Sequence, residues 1–393
     1  MKLHFPDHFF WGTSTAAAQI ETAFDHNWKG LVSKDDFVFD RTSDHEKRRS
    51  EDVQYIKRFG SIYRCGVDWS KLQRAPFAPF EEEVVEEYQS FFAELLDEGM
   101  EIMFVLHHFL NPNWFEKQGG WLVESNIGPF VDYCRQCIEH FGSYVSNWNT
   151  FNEPNVYAMN AYMLGNFPPH KKSYRKANRV IKHMSQAHEV VYNMLKELCP
   201  THPVGISQNT AWFDSRHPLG WLPAKFTDWW FNRRTAKYFT QVDYRGVSYY
   251  AYIPFMPFAV TEKDNPGKLA KLGIPHDKLW GYRPEGFDKI IRWMWKKYGK
   301  PIVITENGIC TDDPQERIQS IKDYLKIIHQ AIQDGIDVRG YVHWSTMDNF
   351  EWDLGPTYRF GLVHVNLFTK DRQMTEAGLF YEKVTTENAV EID

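Results

Sequence analysis

The sequence predicts an α/β protein folded as one (β/α)8 TIM barrel over residues 1–393, and three observations carry that prediction. Eight short, β-rich apolar runs recur along the chain, helical patterns stand between them, and polar groups collect where the runs end. A doubly wound open sheet would also alternate strand and helix. The strand ends separate the two readings, because a barrel opens all eight C-terminal strand ends on one face.

The strands are expected near 9–12 (FFWG), 62–67 (IYRCGV), 102–107 (IMFVLH), 147–151 (NWNTF), 204–207 (VGIS), 245–249 (RGVSY), 301–305 (PIVIT) and 338–344 (VRGYVHW). Helices are expected at 51–59, 81–98, 124–141, 175–198, 225–239, 285–298, 314–334 and 373–385. In 81–98 the residues Val84, Val85, Tyr88, Phe91, Phe92, Leu95 and Leu96 form one apolar stripe, and Gly99 ends it. The polar strand ends are Arg64 with Asp68, His107 with His108, Asn152 with Glu153, Gln208 with Asn209, Tyr249 with Tyr250, Glu306 with Asn307, and Trp344.

Composition narrows the function. A net charge of -6, with acidic and basic residues interspersed, offers no basic stripe for nucleic acid. No Gly/Ser-rich or Pro-rich linker divides the chain. Five unevenly spaced cysteines argue against a disulfide framework, and Cys134 and Cys137 read as ordinary helix residues because no second pair completes a zinc site. No apolar run reaches membrane-spanning length and the N-terminus lacks the pattern of a secretion signal, so a cytoplasmic protein without a membrane partner is expected. Aromatic residues make up 16% of the chain, and "GWLPAKFTDWWFN" and "HWSTMDNFEWDLG" mix them with polar groups as a ligand cleft does.

Two strand ends stand out. "NTFNEP" and "VITENG" each finish a β-rich run on a glutamate, Glu153 and Glu306. One such residue is most often solvated or capping a helix. Two of them facing one cleft suggest glycosidic bond cleavage, with one carboxyl group protonating the leaving oxygen while the other attacks the sugar or activates water.

With "FFWGTSTAAAQIE" near the start and "WSTMDNFEWDLG" near the end, these motifs resemble glycoside hydrolase family 1, the β-glucosidase and β-galactosidase family, in family order from about Phe5 to at least Val363. The resemblance implies a cofactor-free, metal-free, retaining and exo-acting β-glycosidase on small β-glycosides or oligosaccharides. It implies Glu306 as nucleophile, Glu153 as acid/base, Arg64 as the cation beside the nucleophile, Tyr250 as its hydrogen-bond donor, and Asn152 as the amide on the sugar 2-hydroxyl. It further implies Gln19, His108, Glu351 and Trp352 as hydroxyl contacts and Trp344 as the stacking floor. His107 is expected to be structural.

The sequence departs from the family pattern at Thr22 (Gly in the family), Ser248 (Asn) and Phe109 (Trp), and its length implies trimmed loops on the aglycone side. Glu351 would repel a phosphate, which argues against 6-phosphoglycosides. Transglycosylation and a non-catalytic carbohydrate-binding relic are the alternatives. A metal-dependent hydrolase would have to draw on Asp68, His107 and His108.

Overall fold

The computed structural model describes residues 1–215, 217–255 and 265–392. Eight parallel strands close into a barrel in chain order: Phe10–Ser14, Ile62–Cys65, Glu101–His107, Asn147–Asn152, Val204–Asp214, Tyr244–Pro254, Ile302–Asn307 and Val338–Trp344. The first and last strands pair from Phe10 opposite Gly340 to Ser14 opposite Trp344, which completes the cylinder. Every run read as a strand is a strand of this barrel.

Alternation puts one set of side chains inside. Ile62, Met103, Tyr244, Val303 and Val342, with Phe10, fill the barrel as a separate apolar cluster. The Tyr244 ring fits because strand five has a glycine beside it: a Cβ on Gly205 would sit 2.5 Å from that ring. Outside, two larger clusters pack the strands against the helices. Helix Glu82–Asp97 buries Val85, Tyr88, Phe91, Phe92 and Leu95, while the outer residues of the expected stripe, Val84 and Leu96, lie nearer solvent. Cys134 and Cys137 are buried on helix Ile127–Phe141, where burial pushes both thiols far up and leaves them unreactive.

Three expectations need correction. The last helix does not begin at 373: Arg372–Met374 pairs as a strand with Val363–Val365, and the helix runs Glu376–Glu387 behind a Thr375 cap. "TEAG" supplies the helix start, and the β-hairpin takes the residues before it. The helix read as 225–239 begins at Trp221, passes through a π-helical stretch at Trp229–Arg234 and ends at Tyr238. The fifth and sixth strands are longer than read, running together from Gly205 opposite Tyr244 to Asp214 opposite Pro254. Their outer halves project above the barrel and form one wall of a cleft.

Candidate active site

The C-terminal strand ends surround a cavity of about 900 Å³, lined by His108, Asn152, Glu153, Tyr250, Glu306, Trp344, Glu351 and Trp352 among others. Eight of the ten residues singled out in the sequence therefore face one space. The other two, Arg64 and Gln19, are fully buried just behind it and touch its lining.

Arg64 organises the floor. One guanidinium nitrogen donates to Glu306 Oε1 at 2.7 Å and to Ser14 Oγ at 2.9 Å; the other donates to Asn152 Oδ1 at 2.6 Å and to Ser207 Oγ at 2.9 Å. A planar fork of fixed donors suits this task, since it ties the ends of strands one, two, four, five and seven together. Tyr250 donates to the other oxygen of Glu306 at 3.0 Å. Asn152 is held by Arg64 and by His108 Nε2 at 2.7 Å, which fixes its amide beside Glu306.

Glu153 has different company. It follows strand four with φ 42° and ψ 57°, in the left-handed region that a residue with a Cβ seldom occupies. Its backbone N–H donates to Ser207 O at 2.7 Å, and Pro154 begins the next helix, so the strand and the helix together hold the strained residue. Its carboxylate accepts from Asn209 Nδ2 at 2.7 Å. The Ser248 hydroxyl lies nearby and favours the ionised form slightly, although it is buried without a hydrogen bond of full geometry.

These surroundings separate two chemically identical groups. Burial and then the charge of Glu306 push Glu153 well above the ordinary carboxylate range, against weaker opposition from Asn209, Arg64 and Ser248. Burial also raises Glu306, and Arg64, Tyr250 and Asn152 oppose that rise without cancelling it. A coupled pair loses its protons in two steps that belong to both groups. With Arg64 bonded to Glu306, the first negative charge settles there and the remaining proton stays on Glu153.

Around the pair stand the residues expected to hold a sugar. His108 lies with its ring centroid 5.8 Å from both Trp344 and Trp352, and burial pushes its imidazole far down, so it is neutral. Gln19 Nε2 donates to Asn349 Oδ1, to the Phe350 carbonyl and to Glu351 Oε2 at 3.0, 3.1 and 3.2 Å. Its own Oε1 is buried with no donor. Glu351 is pushed up to about 8, first by burial and then by Glu306. Trp352 adopts φ 44° and packs on Trp28 and Phe109 at 4.8 and 5.0 Å.

Other polar strand-end residues turn elsewhere. Asp68 caps a short helix by accepting from Ser70 and Lys71 N–H groups, and His107 Nε2 meets Asn111 Oδ1 at 3.0 Å. Asp68, His107 and His108 thus do not converge as a ligand set. Gln208 donates to Asn232 O, and Tyr249 to Arg283 O. Asn209, a polar strand-end residue that no family motif marks, is the neighbour that touches Glu153. Its signal was its place two residues beyond the run "VGIS", on the same strand face as Ser207, which Arg64 reaches. At the departures, Thr22 hydrogen-bonds Glu46, and the Phe109 ring, at φ 65°, fills the space beside Trp352 and stacks on Tyr157.

Comparison with known proteins identifies the family and the fold. A family model described as glycosyl hydrolase family 1 matches residues 1–246 and 231–390. "Beta-glucosidase A" of Acetivibrio thermocellus is 28% identical over 444 positions, covering 98% of this chain and 99% of that one. The alignment is longer than the 393 residues of the chain, so the relative carries segments missing here. Among solved structures, a β-glycosidase from Pyrococcus horikoshii superposes with a TM-score of 0.87 at 28% identity, covering 100% of this chain and 97% of that one. A β-glucosidase from Thermotoga maritima in complex with deoxynojirimycin has a TM-score of 0.87 at 26% identity, covering 99% of this chain and all of that one.

Proposed function

The chain belongs to glycosyl hydrolase family 1 and is a glycoside hydrolase, and from that premise we propose that it is a retaining, exo-acting β-glucosidase that also accepts β-D-galactosides and β-D-fucosides. The relatives named β-glucosidase support the glycone, and the sugar-mimic complex of the Thermotoga maritima structure supports a small-molecule glycoside as substrate. The observation that carries the mechanism is the unequal surroundings of the two carboxylates: Glu306 bonded to a buried guanidinium and a phenol, Glu153 bonded only to an amide.

In the first step Glu306 attacks the anomeric carbon as the bond to the aglycone oxygen breaks, and that oxygen takes the proton of Glu153. A glycosyl ester of Glu306 results, and its negative charge is gone. The chief electrostatic reason for the high pKa of Glu153 disappears with it, so Glu153 now holds a negative charge and can act as base. It takes a proton from water, the water oxygen bonds to the anomeric carbon, and the ester breaks. Two inversions leave the β configuration.

Asn152, fixed between Arg64 and His108, is placed to donate to the sugar 2-hydroxyl, a contact that strengthens as oxocarbenium character develops. The unpaired Gln19 Oε1 and the raised Glu351 carboxyl provide an acceptor and a donor for the far hydroxyls. An acceptor and a donor side by side serve either epimer at C4. A panel of nitrophenyl β-glycosides with NMR of the first-formed sugar tests the reading. A β anomer is expected from a β-glucoside; an α product would overturn it.

A further inference from the structure

One rim of the cleft carries an apolar surface that the chemistry does not use. Leu219 is 73% exposed, Trp221 51%, Leu222 69%, Phe226 56% and Trp229 46%, all on helix Trp221–Asp228 and its flanks. Single exposed apolar residues are ordinary, but this run is contiguous. Tyr174, 41% exposed, joins it with its ring 6.4 Å from Phe226 and 6.2 Å from Trp230.

Tyr174 brings charge with it. Lys171, Lys172, Arg175 and Lys176 flank it, all exposed, and no Asp or Glu occurs between Glu153 and Glu189. On the helix itself Lys225 Nζ lies 3.8 Å over the Trp221 ring, and the one acid, Asp228, is paired with Arg233. The chain as a whole is net negative and its charges are interspersed. Folding gathers a basic rim here by setting the start of helix Tyr174–Leu198 against the segment from Trp221 to Arg234.

We propose that this patch docks the protein on an anionic lipid surface. Leucine and aromatic side chains able to enter the headgroup boundary, ringed by lysine and arginine whose stems reach over them, are the chemistry of a helix lying in a membrane interface. A nucleic acid would use the cations and the rings but has little use for Leu219 and Leu222, the two most exposed members. A second copy of the chain would bring its own cations against these. Thr227 and Phe231, in the same segment as the patch, line the cavity, so docking presents that wall of the cleft to the lipid. The expectation of no membrane partner came from the lack of a spanning run; no helix among the described residues is long and apolar enough to cross, and an interfacial helix need not be.

Sedimentation of the full chain with large vesicles tests the proposal without reference to catalysis. Binding is expected to phosphatidylcholine vesicles containing phosphatidylglycerol, with a blue shift of tryptophan emission and loss at high salt, and only weakly to phosphatidylcholine alone. The double variants Trp221→Ser/Phe226→Ser and Arg175→Glu/Lys176→Glu are each expected to bind about tenfold or more weakly, while their hydrolysis of a soluble nitrophenyl glucoside stays at the wild-type rate. Failure to bind anionic vesicles, undiminished binding by both variants, tighter binding to duplex DNA, or a dimer that shields Trp221 from an aqueous quencher would overturn it.

Discussion

The strand end at Glu153 and the strand end at Glu306 put the same functional group into the same cavity by different local means. Glu306 stays in the extended conformation of strand seven and is gripped at both oxygens, by Arg64 and Tyr250. Glu153 lies one residue past strand four in the left-handed region and receives one amide hydrogen bond. A group that must attack at one angle benefits from a rigid, ionised ground state, whereas a group that must give and take a proton benefits from few fixed donors, so that its neighbour's charge sets its pKa. The difference teaches that a carboxylate's role is set less by its own strand than by what neighbouring strands donate to it.

The comparison is broken most severely by removing each group in turn. Glu306→Gly is expected to lower kcat on every β-glucoside by about 10⁴-fold or more, since no covalent intermediate can form. Glu153→Ala is expected to cost about 10²- to 10⁴-fold on substrates with poor leaving groups. It should leave glycosylation by dinitrophenyl glucosides nearly intact, and added azide should restore turnover by attacking the intermediate. Steady-state and pre-steady-state rates on leaving groups of graded acidity check both. Equal losses on all leaving groups in the two variants would erase the distinction.

Tyr250→Phe makes a smaller cut on one side only. It deletes a hydrogen bond to a charged group, worth a loss of about 10- to 100-fold in kcat/KM. Tyr250 favours the ionised form of Glu306, so its loss raises that carboxyl's pKa. A nucleophile that must be ionised then needs a higher pH, and the acidic limb of the kcat/KM profile is expected to move up.

How much of this was legible from the residues depends on how local the cause is. The eight strands were visible because a buried parallel strand needs a short apolar run, and the ring of polar strand ends followed from the barrel. The ends of elements were less legible. Arg372–Met374 is a strand only because Val363–Val365 lies opposite, and the long wall of strands five and six depends on their pairing with each other. Within the site, Glu153 and Glu306 were marked by a strand that breaks at proline or glycine, and their companions by the family motifs. Asn209 was not assigned a role, because its value lies in a contact with a residue 56 positions away. The lipid-facing rim escaped for the same reason: its cations lie in a segment apart from its rings, and "GWLPAKFTDWWFN", expected in a ligand cleft, puts only Thr227 and Phe231 on the cavity and turns most of its rings outward.

Asn209→Ala is the gentlest test and the most discriminating, because its sign is opposite on the other side of the pair. Asn209 donates to Glu153 and so favours the ionised form. Without it the pKa of Glu153 rises still further, and the proton that the leaving group needs is kept to higher pH. The alkaline limb of the kcat/KM profile is therefore expected to move up, with kcat itself falling by about tenfold or less for one neutral hydrogen bond. Set beside Tyr250→Phe, the two variants shift opposite limbs: one narrows the active range from the acidic side, the other extends it on the alkaline side. If Asn209 merely packed the wall of the cleft, its loss would lower the rate at every pH by one factor and leave both limbs in place. If the limbs moved together in both variants, Glu153 and Glu306 would be exchanging their protons freely, and the unequal surroundings would not decide which of them attacks.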